Sequence, residues 1–350
     1  MLVKRSVNQS DPPSIRLAGS SAIVRWLERV LGVLGAGLFA WLLYRFGIGN
    51  LEENLRLAGW GLLLVVGQEI LAFLANTGGW YWSFPRAART PPFSQLLRAR
   101  IAGDAFNYVT PTASLGGEFV RFRMLGGVAG RVQVAASLSV AKVAQTLGQV
   151  AFILFGLAYV ATEFAVPPAV TLGAWSMVGV FVIACGGFVW WQRRGMFGPL
   201  LRVAQWFGWL QSPEHAGRVE RLDREIRALH HDGIRFWLAV SSFAVGWALG
   251  ILEMYIVLWL LDLPRSFALA TAIEVFSATL DGILFFVPGK LGTQEGGKVL
   301  IFSILSLDPA KGLAAGVFRR IRELVWAGIG LALWWKAQWA TPRAVAPQTR

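Results

Sequence analysis

Apolar residues in this chain come in long unbroken runs, without the strict alternation of a half-buried strand. Six runs, about 30–48, 57–84, 132–161, 168–191, 236–262 and 311–337, reach the roughly 20 helical residues that a hydrocarbon layer requires. Each is predicted to span a membrane. Two further stretches, about 93–125 and 267–305, are apolar in part but interrupted by proline, glycine and charge. Segments broken in this way are predicted to dip in and return on the same side. The expected fold is an all-α integral membrane protein of about six transmembrane helices and two re-entrant hairpins, Asp104–Glu118 and Asp281–Glu295. The polar stretch 1–29 is too long for a secretory leader's basic region, and no small-residue cleavage site follows it. The run from Val30 to Gly47 is therefore predicted to be a retained helix. The membrane domain is expected over 30–338, with a cytoplasmic segment before it and a polar tail, 339–350, after it.

The interrupted stretches repeat one another. Asp104, Pro111 and Glu118 recur as Asp281, Pro288 and Glu295, each 177 positions further on. The register continues through Arg121 and Lys298, Val140 and Val317, Lys142 and Arg319, and Leu147 and Leu324. Matched carboxylates, a matched helix breaker and matched bases point to an internal duplication whose halves build one site. Three full spans separate the two copies, and an odd number inverts the second, so the repeat is expected to be inverted. In both copies proline ends a helix, glycines (Gly116 and Gly117; Gly289 and Gly292) allow the reversal, and a glutamate opens the returning helix.

Composition agrees with the class: 55% of residues are hydrophobic, only 15% are charged, and there are 17 Trp. A soluble chain of 350 residues would need more charge to cover its surface. The net charge of +13 concentrates in particular connections, so it sets orientation and implies no nucleic-acid partner. If each interrupted stretch returns on its own side, both termini and the arginine-rich connector 192–235 share the cytoplasmic face. Tryptophan pairs at 80/82, 190/191 and 334/335 are expected in the headgroup layer, with Trp41, Trp247 and Trp326 as core filling. The connector reads as an interfacial stretch, Phe197–Gln211, and an amphipathic helix, Glu214–His231, with Glu220/Arg224 and Asp223/Arg227 spaced to pair. All three histidines lie in that connector, and Cys185 is the single cysteine. No membrane metal site, disulfide or cofactor is expected.

Candidate chemistry rests on charge at membrane depth, where each ionised group costs about 2.5–3.5 kcal/mol at the bilayer centre. Glu118, Arg121, Lys142, Glu295, Lys298, Arg319, Arg320 and Arg322 are candidates for holding a lipid headgroup. Arginine forks suit phosphate oxygens. Because both bases follow their glutamate by 24 positions, Glu118–Lys142 and Glu295–Arg319 are expected pairs; Glu323 is expected to partner Arg322 locally. Asp104, Asp281, Glu69 and Glu253 are candidates for gating or proton handling, and Pro111, Gly116, Gly117, Pro288, Gly289 and Gly292 for shaping the turns. Helix capping and structural ion pairing remain the plain alternatives.

The segments Gly103–Leu125, Pro288–Glu295 and Arg319–Gly330 resemble the transmembrane domain of lysylphosphatidylglycerol synthases. That superfamily also includes flippase-like and hopanoid-associated membrane proteins. The resemblance implies movement of a lipid (a phospholipid, an aminoacyl-phospholipid or a hopanoid) across a bacterial inner membrane. Membrane lipids are expected partners, and the scaffold alternative, working through the connector 192–235, adds enzymes of lipid biosynthesis. The synthases carry an aminoacyl-transferase domain after the membrane domain; this chain stops at Arg350, so that activity is not expected. An intramembrane enzyme acting on a headgroup, or a scaffold for a biosynthetic complex, stays open as an alternative.

Overall fold

The computed structural model describes residues 48–86, 90–109, 115–126, 128–164, 168–194, 232–284, 290 and 292–340, with single positions between 37–45 and 198–226. Every regular element among them is helical. The elements are α1 (Ile48–Ala58), α2 (Leu62–Trp82), α3 (Phe93–Val109), α4 (Leu115–Leu125), α5 (Arg131–Glu163), α6 (Pro168–Arg194), α7 (Gly233–Leu260), α8 (Phe267–Ile283), α9 (Thr293–Ile304) and α10 (Pro309–Ala340). A 3-10 turn at Gly59–Gly61 joins α1 to α2, so the run expected to begin at 57 is part of a longer helical stretch.

Among the described residues, Leu51–Trp82, Arg131–Glu163 and Gly233–Leu260 are long and apolar enough to cross a membrane. Helix α10 is as long, at 32 residues, but carries Arg319, Arg320, Arg322 and Glu323 in its middle. The outward surface is apolar, as a lipid-facing surface must be: Trp60, Phe155, Ile183 and Ile234 are all largely exposed. The first expected span, about 30–48, lies almost wholly outside the described residues.

The 177-residue register extends to the helices themselves. Displaced by that amount, α3 falls on 270–286, against Phe267–Ile283 for α8. Helix α4 falls on 292–302, against Thr293–Ile304, and α5 on 308–340, against Pro309–Ala340. Helix α2 falls on 239–259, inside α7. Each four-helix set therefore consists of a long helix, a short helix pair and a second long helix.

The two sets interlock. Helix α2 packs on its counterpart α7, α3 packs on α10, and α8 packs on α5. One core joins Trp80, Phe84, Leu96, Val140 and Phe243; a second joins Val65, Met254, Ile273, Phe302 and Phe318; a third joins Phe152, Leu157 and Val275. All three draw on both sets of helices.

Several expectations are corrected by the packing. Trp80 is fully buried, donates from Nε1 to Ser137 Oγ at 3.2 Å, and packs on Phe84, so it belongs to the core. Trp41, expected as core, is exposed, whereas Trp326 stacks on Phe73 at 4.8 Å and donates to Val66 O. Trp190, Trp191 and Trp335 are exposed, as a headgroup position requires. Most of the connector lies outside the described residues. Glu220 and Arg224 approach to 3.9 Å at an exposed position, and Ile226 is buried against the Trp80 core.

Candidate functional site

The interlocked helices enclose a polar cavity of about 300 Å³, lined from α2, α3, α4, α5, α7, α8, α9 and α10. Charged groups lining it number seven acids (Glu69, Asp104, Glu118, Glu253, Glu274, Asp281, Glu323) and six bases (Arg100, Arg121, Lys142, Lys290, Arg319, Arg322). Near balance is what an apolar bundle can tolerate, because unpaired charge there is costly.

At the first helix pair, Asp104 accepts from Arg100 Nε at 3.1 Å and from Arg121. Arg121 Nη1 also donates to Glu118 Oε1 at 2.5 Å. Helices α3 and α4 are tied together where the Gly117 N–H donates to Asn107 Oδ1 at 2.8 Å. A side chain at Gly117 would run into the Gly103 carbonyl and the Asn107 amide, so only glycine permits this approach. Gly116 sits half-buried in the same first turn, with Glu118.

The second helix pair is wired more densely. Arg319 Nη2 donates to Glu274 Oε2 at 2.7 Å and to Glu253 Oε2 at 3.0 Å. Arg322 Nη1 bridges Glu253 Oε2 at 2.6 Å and Glu69 Oε2 at 2.7 Å. Lys298 Nζ donates to Ser277 Oγ at 2.8 Å and lies 3.4 Å from Glu274 Oε2. A buried chain thus runs Glu69–Arg322–Glu253–Arg319–Glu274–Lys298 through α2, α10, α7, α8 and α9. Beside it, Arg320 Nε donates to Glu295 Oε1 at 3.1 Å and Arg320 Nη1 to Glu323 Oε2 at 3.1 Å. Asp281 pairs with Lys290 at 3.0 Å. Gly292 precedes α9 at φ 75°, a backbone region that favours glycine.

The expected partners are therefore revised. Glu295 pairs with Arg320, not Arg319, and Glu118 with Arg121, not Lys142. The common spacing of 24 reflects the duplication rather than contact. Glu323 pairs with Arg320 and, at 4.0 Å, with Arg322. Glu295 and Lys298 are buried beside the cavity without lining it. Pro111, Pro288 and Gly289 lie outside the described residues. The sequence reading missed Glu274 and Arg100. Glu274 is a lone carboxylate in an apolar run, the same signal that marked Glu69 and Glu253; Arg100 stands one helical turn before Asp104.

Residues 26–330 match the family model of the lysylphosphatidylglycerol synthase TM region. The chain belongs to that family. A relative from Methanothermobacter thermautotrophicus (strain Delta H), described as a UPF0104 membrane protein, is 26% identical over 314 residues, covering 83% of this chain and 90% of its own length. No solved structure matches. The protein is thus a membrane protein of the lysylphosphatidylglycerol synthase TM family, and its polar cavity lies within the matched region.

Proposed function

We propose that the protein moves a lipid between the leaflets of a bacterial inner membrane, with both termini cytoplasmic. The headgroup would enter the cavity while the acyl chains stay among the lipids. The observation that carries this reading is a polar, charge-balanced cavity lined from both repeated helix sets of an apolar bundle. A volume of about 300 Å³ stands at the lower end of small-ligand sites and suits a headgroup, not a whole lipid. In this proposal α3/α4 and α8/α9 are the re-entrant hairpins of an inverted repeat, the arrangement that places transporter sites between repeats. Glu118 and Asp104, which keep part of their surface open to the cavity, handle charge during passage. The arginines of the second set hold the wall that the headgroup slides along.

The test is a leaflet-sidedness assay on purified protein in liposomes, with phosphatidylglycerol, an aminoacyl-phosphatidylglycerol and a hopanoid as separate cargos. The wild-type protein should redistribute at least one of them. Glu118→Gln should slow that movement about tenfold, equivalent to about 1.4 kcal/mol of barrier. A cargo whose mass changes instead of its sidedness would establish an intramembrane enzyme and retire the transport reading.

A further inference from the structure

Among the described carboxylates of the bundle interior, Glu295 alone is fully buried without lining the central cavity. Nor does it line the smaller cavity, of about 10 Å³, between α8, α9 and α10. Its Oε1 accepts from Arg320 Nε at 3.1 Å, while its Oε2 is buried and accepts from no donor. The carboxylates linked to it are better supplied. Glu253 and Glu274 each face two cations. Glu69 takes Arg322 at 2.7 Å and keeps part of its surface open. Glu323 takes Arg320 at 3.1 Å and the Gln294 amide at 3.2 Å. An ionised oxygen left buried without a donor costs more than a neutral one.

The balance of charge along the buried chain points the same way. From Arg322 the chain continues through Glu323, at 4.0 Å, to Arg320 and Glu295. Its acids are then Glu69, Glu253, Glu274, Glu295 and Glu323, and its bases Lys298, Arg319, Arg320 and Arg322. One negative charge is left over. The first helix set has the opposite excess, Arg100, Arg121 and Lys142 against Asp104 and Glu118. All five line the central cavity, and among the described residues none of those bases lies within 4.0 Å of an acid of the chain.

Helix α9 packs on α10 and α8. The charges at the middle of α10 are Arg319, Arg320, Arg322 and Glu323, and those of α8 are Glu274 and Asp281. Of these, Arg320 is the one that pairs with Glu295. On α9 itself Lys298 turns to Ser277 and Glu274, and Lys290, just before it, turns to Asp281. A metal cation does not suit the orphaned oxygen, because it needs several oxygens about 2.3–2.6 Å away. Here the Arg320 guanidinium stands on the carboxylate, and α10 comes so close that a methyl group on Gly316 would lie 3.0 Å from Glu295 Cα. A proton needs no such room.

We infer that Glu295 is a proton-binding site, neutral while it is closed off as in this conformation, and that it gives up its proton when the α8/α9 pair moves to open it to the cavity. The bound proton cancels the leftover charge of the chain. Release turns the carboxyl into a carboxylate and passes the proton to water at the cavity; uptake reverses the step. Glu118, 177 positions earlier, shows the open arrangement: it lines the cavity with 24% of its side chain exposed. Combined with the transport reading, on which this one clause rests, the site couples lipid movement to a proton gradient.

The experiment begins with infrared spectra of the purified full chain at neutral pH. The wild-type protein should show the carbonyl stretch of a protonated carboxyl, and Glu295→Gln should remove it. Glutamine copies a neutral carboxyl, so Glu295→Gln should leave the unfolding midpoint unchanged, whereas Glu253→Gln should lower it. Liposomes with a trace of fluorescent phosphatidylglycerol then test the coupling. At one proton per lipid, a gradient of about one pH unit should drive the probe to a leaflet ratio of up to about tenfold. Glu295→Gln should show no such gradient-driven accumulation.

A protonated-carboxyl band that is absent from the wild-type protein, or unchanged in Glu295→Gln, overturns the proton site. So does a midpoint that falls as far in Glu295→Gln as in Glu253→Gln. A probe that moves without responding to the gradient overturns the coupling. A probe that the wild-type protein never moves overturns the transport reading instead, and the infrared band then decides the proton site by itself.

Discussion

Arg319 illustrates how little a buried charge can be treated as a free ligand. Its guanidinium is held between carboxylates from two helices, Glu253 on α7 and Glu274 on α8. With these contacts, Arg319→Gln leaves Glu253 and Glu274 under-compensated, and removing one partner of a buried pair costs about 3–5 kcal/mol. A fall in the detergent unfolding midpoint should register it, and the double variant Arg319→Gln/Glu253→Gln should recover part of the loss. Arg320 is more open and is held by Glu295, Glu323 and the Lys290 carbonyl; its substitution should cost less. The charged residues themselves were legible in the sequence, because lipid excludes charge and each exception stands out. Their partners were not. Glu253 and Glu274 lie 66 and 45 positions from Arg319, and such contacts are set by how helices pack.

The helix pairs α3/α4 and α8/α9 were legible as elements, since proline, glycine and charge interrupt their apolar runs at matched places. What the sequence could not reveal was how closely each pair folds back. Gly117 meets the Gly103 carbonyl and Asn107 with no room for a methyl group, so Gly117→Ala should destabilise by about 1–3 kcal/mol and push α4 away from α3. Gly67, on α2, has open space where a methyl group would stand; Gly67→Ala should be neutral or stabilising by up to about 1 kcal/mol. Comparing the two unfolding midpoints checks both expectations. The misplacement of Trp80 has the same origin. A Trp near a span's end reads as interfacial until a neighbouring helix covers it, here through Ser137 of α5.

At the scale of the molecule, the duplication was visible as a constant offset, and that offset also aligns the helix ends. The interlocking was not visible, because a repeat says which segments are alike and not which ones touch. Since α3 packs on α10, α8 on α5 and α2 on α7, the core of each half is completed by residues of the other. Separate expression of 1–215 and 216–350 should yield unstable fragments, while co-expression should yield a complex that co-purifies; stable, independent halves would contradict the interlocking. The buried ion chain carries a consequence for synthesis. Ribosomes deliver Glu69, Glu253 and Glu274 to the membrane before Arg319 and Arg322, which arrive on the last long helix. Until that helix docks, Glu69 and Glu253 wait in the bilayer without their cations, and Glu274 has only Lys298. Completion of the nascent chain is thus coupled to the neutralisation of its interior, and a chain that stops before α10 leaves Glu69 and Glu253 without the arginines that pair with them.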